Sequence, residues 1–131
     1  MLLQGDNNEI ILGKGVHINA SPSQPTVINA CNGTKIIIGE NSLLSNNIEI
    51  HSTDYHYIFD VMGKRINPDA SVSIGKHVWI GLGVKILKGS SIADNTIVGA
   101  GSIVSGKIDN PYSMVAGVPA KIIKKGVTWT E

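Results

Sequence analysis

Aliphatic residues return at every sixth position from Ile74 onward, at Ile74, Ile80, Ile86, Ile92, Val98 and Val104, so the run SIGKHVWIGLGVKILKGSSIADNTIVGAGSIVSG divides into hexads. No helical period competes with this one. Six is a multiple of the two-residue strand repeat, so every sixth side chain can face the same way if each short strand ends at a repeated corner. The fifth residue of each hexad is small or branched: Val78, Val84, Ser90, Thr96, Ser102. It lies two before the next aliphatic residue, so pairs such as Val78/Ile80 and Val84/Ile86 are predicted to point inward together. Gly75, Gly81 and Gly99 fall at the corners, where freedom in φ is useful.

Units this short cannot bury a face alone; each must cover the last, as rungs of a solenoid. The pattern therefore predicts an all-β fold, a parallel β-helix forming one domain over residues 1–131. Leu12/Ile18 and Ile38/Leu44/Ile50 carry the same spacing upstream. Two stretches interrupt it. ASPSQPTVINACNG holds two prolines and shifts the phase, and TDYHYIFDVMGKRINPD, residues 53–69, is rich in polar, aromatic and turn residues. A long insertion costs ordering entropy and adds nothing to the core, which marks 53–69 as a protruding loop and the place to seek function.

Composition agrees with closely spaced strands: 15 glycines in 131 residues and only 5% aromatics. Charged residues make up 16% and the formal net charge is +1, which offers no overall field for nucleic acid or an anionic membrane. The opening MLLQGDNNEI has no basic segment leading into an apolar run, and no stretch of about 18 apolar residues occurs, so a soluble cytoplasmic protein without an integral membrane segment is expected. The single Cys31 cannot form an internal disulfide and fits a reducing compartment.

The segment IEIHSTDYHYIFD, the coil RINPDASVSIGKHVWIG and the ending VAGVPAKIIKK together resemble the hexapeptide-repeat acyltransferases, in particular the sugar and capsular-polysaccharide O-acetyltransferases. The resemblance runs from about Glu49 to Trp129. It implies a left-handed β-helix of triangular cross-section, with three hexads per coil, and a homotrimer whose sites lie between subunits. It also implies acetyl-CoA as co-substrate, a saccharide hydroxyl as acceptor, and no metal. On such a coil Trp79 stacks under Ile97, an apolar pair expected on a flat, exposed face.

Transfer of an acetyl group from a thioester to a hydroxyl needs a base for the hydroxyl proton and a donor for the developing oxyanion. His56 is the candidate base, because an imidazole is largely neutral near pH 7 and can return the proton to the departing thiolate. Asp54, two residues earlier on an extended segment, is placed to orient the ring, with Asp60 as the other candidate. His51 is the rival base or a substrate contact; His17 and His77 occupy variable hexad positions expected to face solvent. Tyr55, Tyr57 and Arg65 are candidates for the acceptor pocket, the aromatics for a sugar face and the guanidinium for a carboxylate or phosphate. Trp79 is a candidate for either substrate. The resemblance assigns Ala100 and Ser105 to the pantetheine arm of coenzyme A, and Lys121 and Lys124 to its phosphates.

Two other functions fit the same residues. His17, His51 and His56 are spaced similarly to the three ligands of the γ-class carbonic anhydrases, which makes a zinc enzyme the first alternative. A trimeric scaffold without chemistry is the second.

Overall fold

The computed structural model describes residues 1–131, in which sixteen short strands and no helix are formed. In chain order they are β1 (Leu2–Gln4), β2 (Glu9–Leu12), β3 (His17–Ile18), β4 (Val27–Cys31), β5 (Lys35–Ile38), β6 (Leu43–Leu44), β7 (Glu49–His51) and β8 (Val72–Ile74). There follow β9 (Trp79–Ile80), β10 (Lys85–Ile86), β11 (Ser91–Ile92), β12 (Ile97–Val98), β13 (Ile103–Val104), β14 (Lys107–Ile108), β15 (Ser113–Gly117) and β16 (Ala120–Lys125). Every strand but β16 pairs with one a coil away, giving three sheets: β1-β4-β7-β10-β13, β2-β5-β8-β11-β14 and β3-β6-β9-β12-β15-β16. All pairings are parallel except β15 with β16, an antiparallel hairpin at the end of the third sheet. The chain winds from first to second to third sheet and back, as a left-handed parallel β-helix.

Register explains the sixfold repeat. Ile38, Ile74 and Ile92 stack in the second sheet, Leu44, Ile80 and Val98 in the third, and Ile50, Ile86 and Val104 in the first. All nine belong to one buried cluster that fills the axis of the prism. The fifth hexad positions point inward too, from Val78 and Val84 to Ser90, Thr96 and Ser102. A hydroxyl there must find a partner. Ser90 Oγ donates to the Val104 carbonyl at 3.1 Å and Ser102 Oγ to that of Gly99 at 2.6 Å. Leu12 lies in register beneath Ile38 yet is exposed, because β2 is the edge strand of its sheet.

The corner glycines serve a different purpose from the expected one. Gly75, Gly81 and Gly99 do not adopt positive φ; what they lack is room. A Cβ at Gly81 would sit 2.8 Å from both Ala100 N and Val98 O, and one at Gly75 would sit 2.7 Å from Asp94 N. The left-handed conformations fall elsewhere in the turns, at Gly83 and Gly101 and, among residues with side chains, at His77 and Asn95. Close stacking of rungs, rather than turn geometry, selects glycine at the first three sites.

The insertion leaves the prism at the corner between β7 and β8. Neighbouring rungs are 18 residues apart at Lys76 and Asp94 but 36 apart at Ser42 and Val78, so the extra length equals one whole coil. It is built as an arm with its own bonds. Asp60 N–H donates to the Lys64 carbonyl, Gly63 N–H to that of Asp60, and Ile66 N–H to that of Ile58. At its tip Val61 and Met62 are fully open to solvent.

Candidate active site

His56 lies on the ascending limb of the arm, exposed, and its ring makes no hydrogen bond within the chain. What holds the residue is its backbone: the His56 carbonyl accepts from Asn67 Nδ2 at 2.8 Å. Asp54 is not bonded to the ring. Its Oδ2 instead accepts from Asn67 Nδ2 at 3.0 Å and pairs with Lys88 Nζ at 3.0 Å. Burial pushes the Asp54 carboxyl up, but the hydrogen bonds from Asn67 and Lys88 and the charge of Lys88 outweigh it and hold the group below its ordinary value. Asp60 is likewise engaged, its Oδ1 accepting from Met62 N–H at 2.9 Å and Lys64 N–H at 3.0 Å in the turn. Neither carboxylate orients the imidazole; both build the arm. A two-residue spacing would align the side chains on a straight strand, but Tyr55 between them has φ 67°, which turns the chain.

His51 is half-buried at the foot of the arm in a polar chain of its own. Asn29 Nδ2 donates to the Tyr55 hydroxyl at 2.6 Å, which leaves that hydroxyl's proton free for His51 Nδ1, also at 2.6 Å. His51 Nε2 then faces Glu49 Oε2 at 3.8 Å. Beneath this chain Cys31 is buried, its thiol 3.3 Å from Asn29 Oδ1; burial first, then the charge of Asp69, pushes its pKa up, which suits packing rather than reactivity.

Arg65 and Tyr57 meet each other. The guanidinium lies 3.9 Å from the Tyr57 ring centroid and 3.4 Å from Asp69 Oδ1, so one aromatic face and much of the guanidinium are used inside the arm. Asp69 also accepts from Asn32 Nδ2 at 2.8 Å, tying the arm's exit to the coil below.

The residues expected to meet coenzyme A are spread over the prism, with Ser105 alone on the edge that carries the arm. Ser105 follows Val104, and Val104 stacks over Ile86 and Ile50, so Ser105 lies on the same edge as the arm, above Leu87 and His51. Ala100 is exposed at a different corner, between the third and first sheets. Lys121 and Lys124 are exposed on β16, opposite Ala116 and Met114. Trp79 is on the third sheet, 37% exposed, its Nε1 donating to Ser45 Oγ at 3.2 Å. Ile97 does stack on Trp79, but it is buried, so the pair is not an open apolar face. Nor is His77 solvent-facing in the simple sense: Trp129 stacks on its ring at 4.3 Å, donates from Nε1 to its carbonyl at 2.9 Å, and approaches Trp79 at 6.1 Å. The C-terminal residues thus lie along the third sheet, where His17 Nδ1 meets Glu131 Oε1 at 2.6 Å.

The three imidazoles of the zinc alternative are dispersed: His17 is on the third sheet, His51 at the end of β7 and His56 on the arm, and no group of three or more metal-ligating side chains forms in the chain.

Comparison with known proteins gives a consistent answer. No protein-family profile matches the chain. A polysialic acid O-acetyltransferase of Neisseria meningitidis is 42% identical over 96 residues, which is 72% of this chain and 45% of that protein. The crystal structure of the polysialic acid O-acetyltransferase OatWY superposes with a TM-score of 0.75 at 32% identity, covering 99% of this chain and 66% of that one. The chain belongs to the hexapeptide-repeat acyltransferases. A galactoside acetyltransferase solved in complex with coenzyme A superposes with a TM-score of 0.63 at 27% identity over 95% of this chain and 59% of its own. This family member spans about half the length of the curated relatives it matches, between 43% and 55% for the first three.

Two residues of the site escaped the sequence reading. Asn67 had a faint signal, since an Asn-Pro pair at the end of an insertion favours a turn. Lys88 had none; it occupies a variable hexad position, and only the stacking of rungs brings it to the arm.

Proposed function

We propose that the protein is an acetyl-CoA-dependent O-acetyltransferase that acetylates a hydroxyl of a surface-polysaccharide saccharide or its precursor by direct transfer. The observation that carries the reading is the arm itself: it rises from a rigid coil, is braced by its own hydrogen bonds, and presents an exposed imidazole whose ring nitrogens are uncommitted. In the reaction His56 removes the acceptor hydroxyl's proton as the oxygen attacks the thioester carbonyl. The C–S bond then breaks and the imidazolium returns the proton to the departing thiolate, leaving acetyl ester and free coenzyme A. No positioned serine or cysteine nucleophile stands beside the imidazole, which favours transfer in a ternary complex over a covalent intermediate. The solved relatives described as bound to coenzyme A support the co-substrate, and those named for polysialic acid support a sialylated acceptor as the first to try.

The working unit in this reading is a homotrimer. Within one chain the arm and Ser105 share one edge of the prism, whereas Trp79 and Ala100 belong to the third sheet and the corner after it. A centre that uses His56 together with Trp79 and Ala100 therefore draws on two copies. The locale is the cytoplasm, where acetyl-CoA is supplied.

Incubation of the purified protein with acetyl-CoA and a panel of sialylated oligosaccharides, galactosides and nucleotide sugars, read by mass spectrometry, tests the activity. Loss of a general base in His56→Ala should lower turnover by about 10²-fold or more with the fold intact. An unaltered rate in that variant would sink the assignment, and a protein that neither binds coenzyme A nor acetylates any member of the panel would favour the scaffold.

A further inference from the structure

Asn67 is 6% exposed and uses both ends of its amide on the arm. Its Nδ2 donates to the His56 carbonyl at 2.8 Å and to Asp54 Oδ2 at 3.0 Å, while Oδ1 accepts from Ile58 N–H at 2.7 Å and, at 3.5 Å, from Arg65 Nε. One side chain thereby grips the backbone just after His56 and the turn just before it. On the other flank Tyr55, in a left-handed conformation, is held through its hydroxyl by Asn29 and His51 and through its N–H by Thr53 Oγ1 at 3.1 Å. All these bonds stop short of the imidazole.

We propose that Asn67 is a positioning residue for His56, aiming the imidazole through the main chain rather than through a ring nitrogen. The inference rests on the assignment of His56 as base and adds how that base is oriented. Its chemical logic follows from the reaction. In the usual arrangement a carboxylate occupies one imidazole nitrogen and so fixes the ring; here Asp54 is engaged by Asn67 and Lys88. Within one chain the contacts that fix His56 are those of its backbone, and a neutral amide is the group that can donate to a carbonyl and a carboxylate while accepting from an N–H. Aspartate at 67 keeps the acceptor for Ile58 but loses the donors and sets a like charge against Asp54. Alanine leaves the His56 carbonyl without its partner.

The test uses the full chain with Asn67→Ala, Asn67→Asp, His56→Ala and the Asn67→Ala/His56→Ala double variant. A misaimed base should lower kcat by about 10- to 100-fold while KM for acetyl-CoA stays within about threefold. In the His56→Ala background, Asn67→Ala should cause no further loss, because the group through which it acts is gone. An equal fold-loss in both backgrounds, or a wild-type kcat in the single variant, overturns the proposal. A second readout does not need turnover: the ring ¹H–¹⁵N signals of His56 should split or broaden in Asn67→Asp relative to the parent, and an unchanged spectrum overturns the positioning role. If Asn67→Ala does not fold, the aspartate variant carries both measurements. Full activity in His56→Ala alone would remove the base assignment, an outcome distinct from either of those.

Discussion

Lys88 Nζ lies 3.0 Å from Asp54 Oδ2 and 2.8 Å from the Pro68 carbonyl, so one ammonium from the rung above ties the first turn of the arm to its exit. The clamp joins the regular solenoid to the irregular segment it carries. Lys88→Met keeps most of the aliphatic stem and removes the charge. The variant should keep a near-parental melting temperature, since the axial core is untouched. Its arm should be cleaved at least several-fold faster by trypsin at Lys64 or Arg65, and its kcat should fall by about tenfold if the arm positions the base. Equal cleavage rates would show that the arm stands without the clamp.

Two glycines one residue apart from a shared neighbour test what the corners require. At Gly81 an added Cβ meets backbone at 2.8 Å, whereas at Gly83 it meets nothing, and the penalty there is only that of φ 72°. Gly83→Ala should cost about 1–2 kcal/mol, the usual penalty of a left-handed residue with a side chain. Gly81→Ala should cost more, because main chain on the next rung must move. Chemical denaturation of both variants checks the order; equal losses, or the reverse, would refute the stacking explanation.

Asp69 should contribute to stability in a pH-dependent way. Burial pushes its carboxyl up, but hydrogen bonds from Thr53 and Asn32 and the charges of Arg65 and Lys88 outweigh it, holding the group below its ordinary 3.8. A carboxylate whose folded value is depressed favours folding above its unfolded value, and that contribution disappears as pH falls through the folded one. The melting temperature of Asp69→Asn should therefore lie below that of the parent at neutral pH, with the gap closing as pH drops below about 4. A gap that stays constant into acid would mean that the loss is one of packing.

The prism was legible in the linear order of residues. Ile74, Ile80 and Ile86 enter one interior because a period of six, a multiple of the strand repeat, leaves stacked rungs as the way to bury them together. The arm was legible as well, since its polar and turn-forming residues break the repeat at Thr53 and let it resume by Val72. His56 stood out as a chemical group, but its surroundings did not. Asp54 looked like its partner from a spacing of two and instead met Lys88, which is far along the chain and adjacent only once one rung covers another. Trp129 reaches His77 because the C-terminal residues lie along the third sheet, and Asn67 reaches the His56 carbonyl because the arm folds back on itself. Short-range periodicity decides which side chains go inside, because that depends on strand geometry alone; which polar groups meet on the outside depends on what folding stacks above, below and across the corner, and no local pattern encodes it.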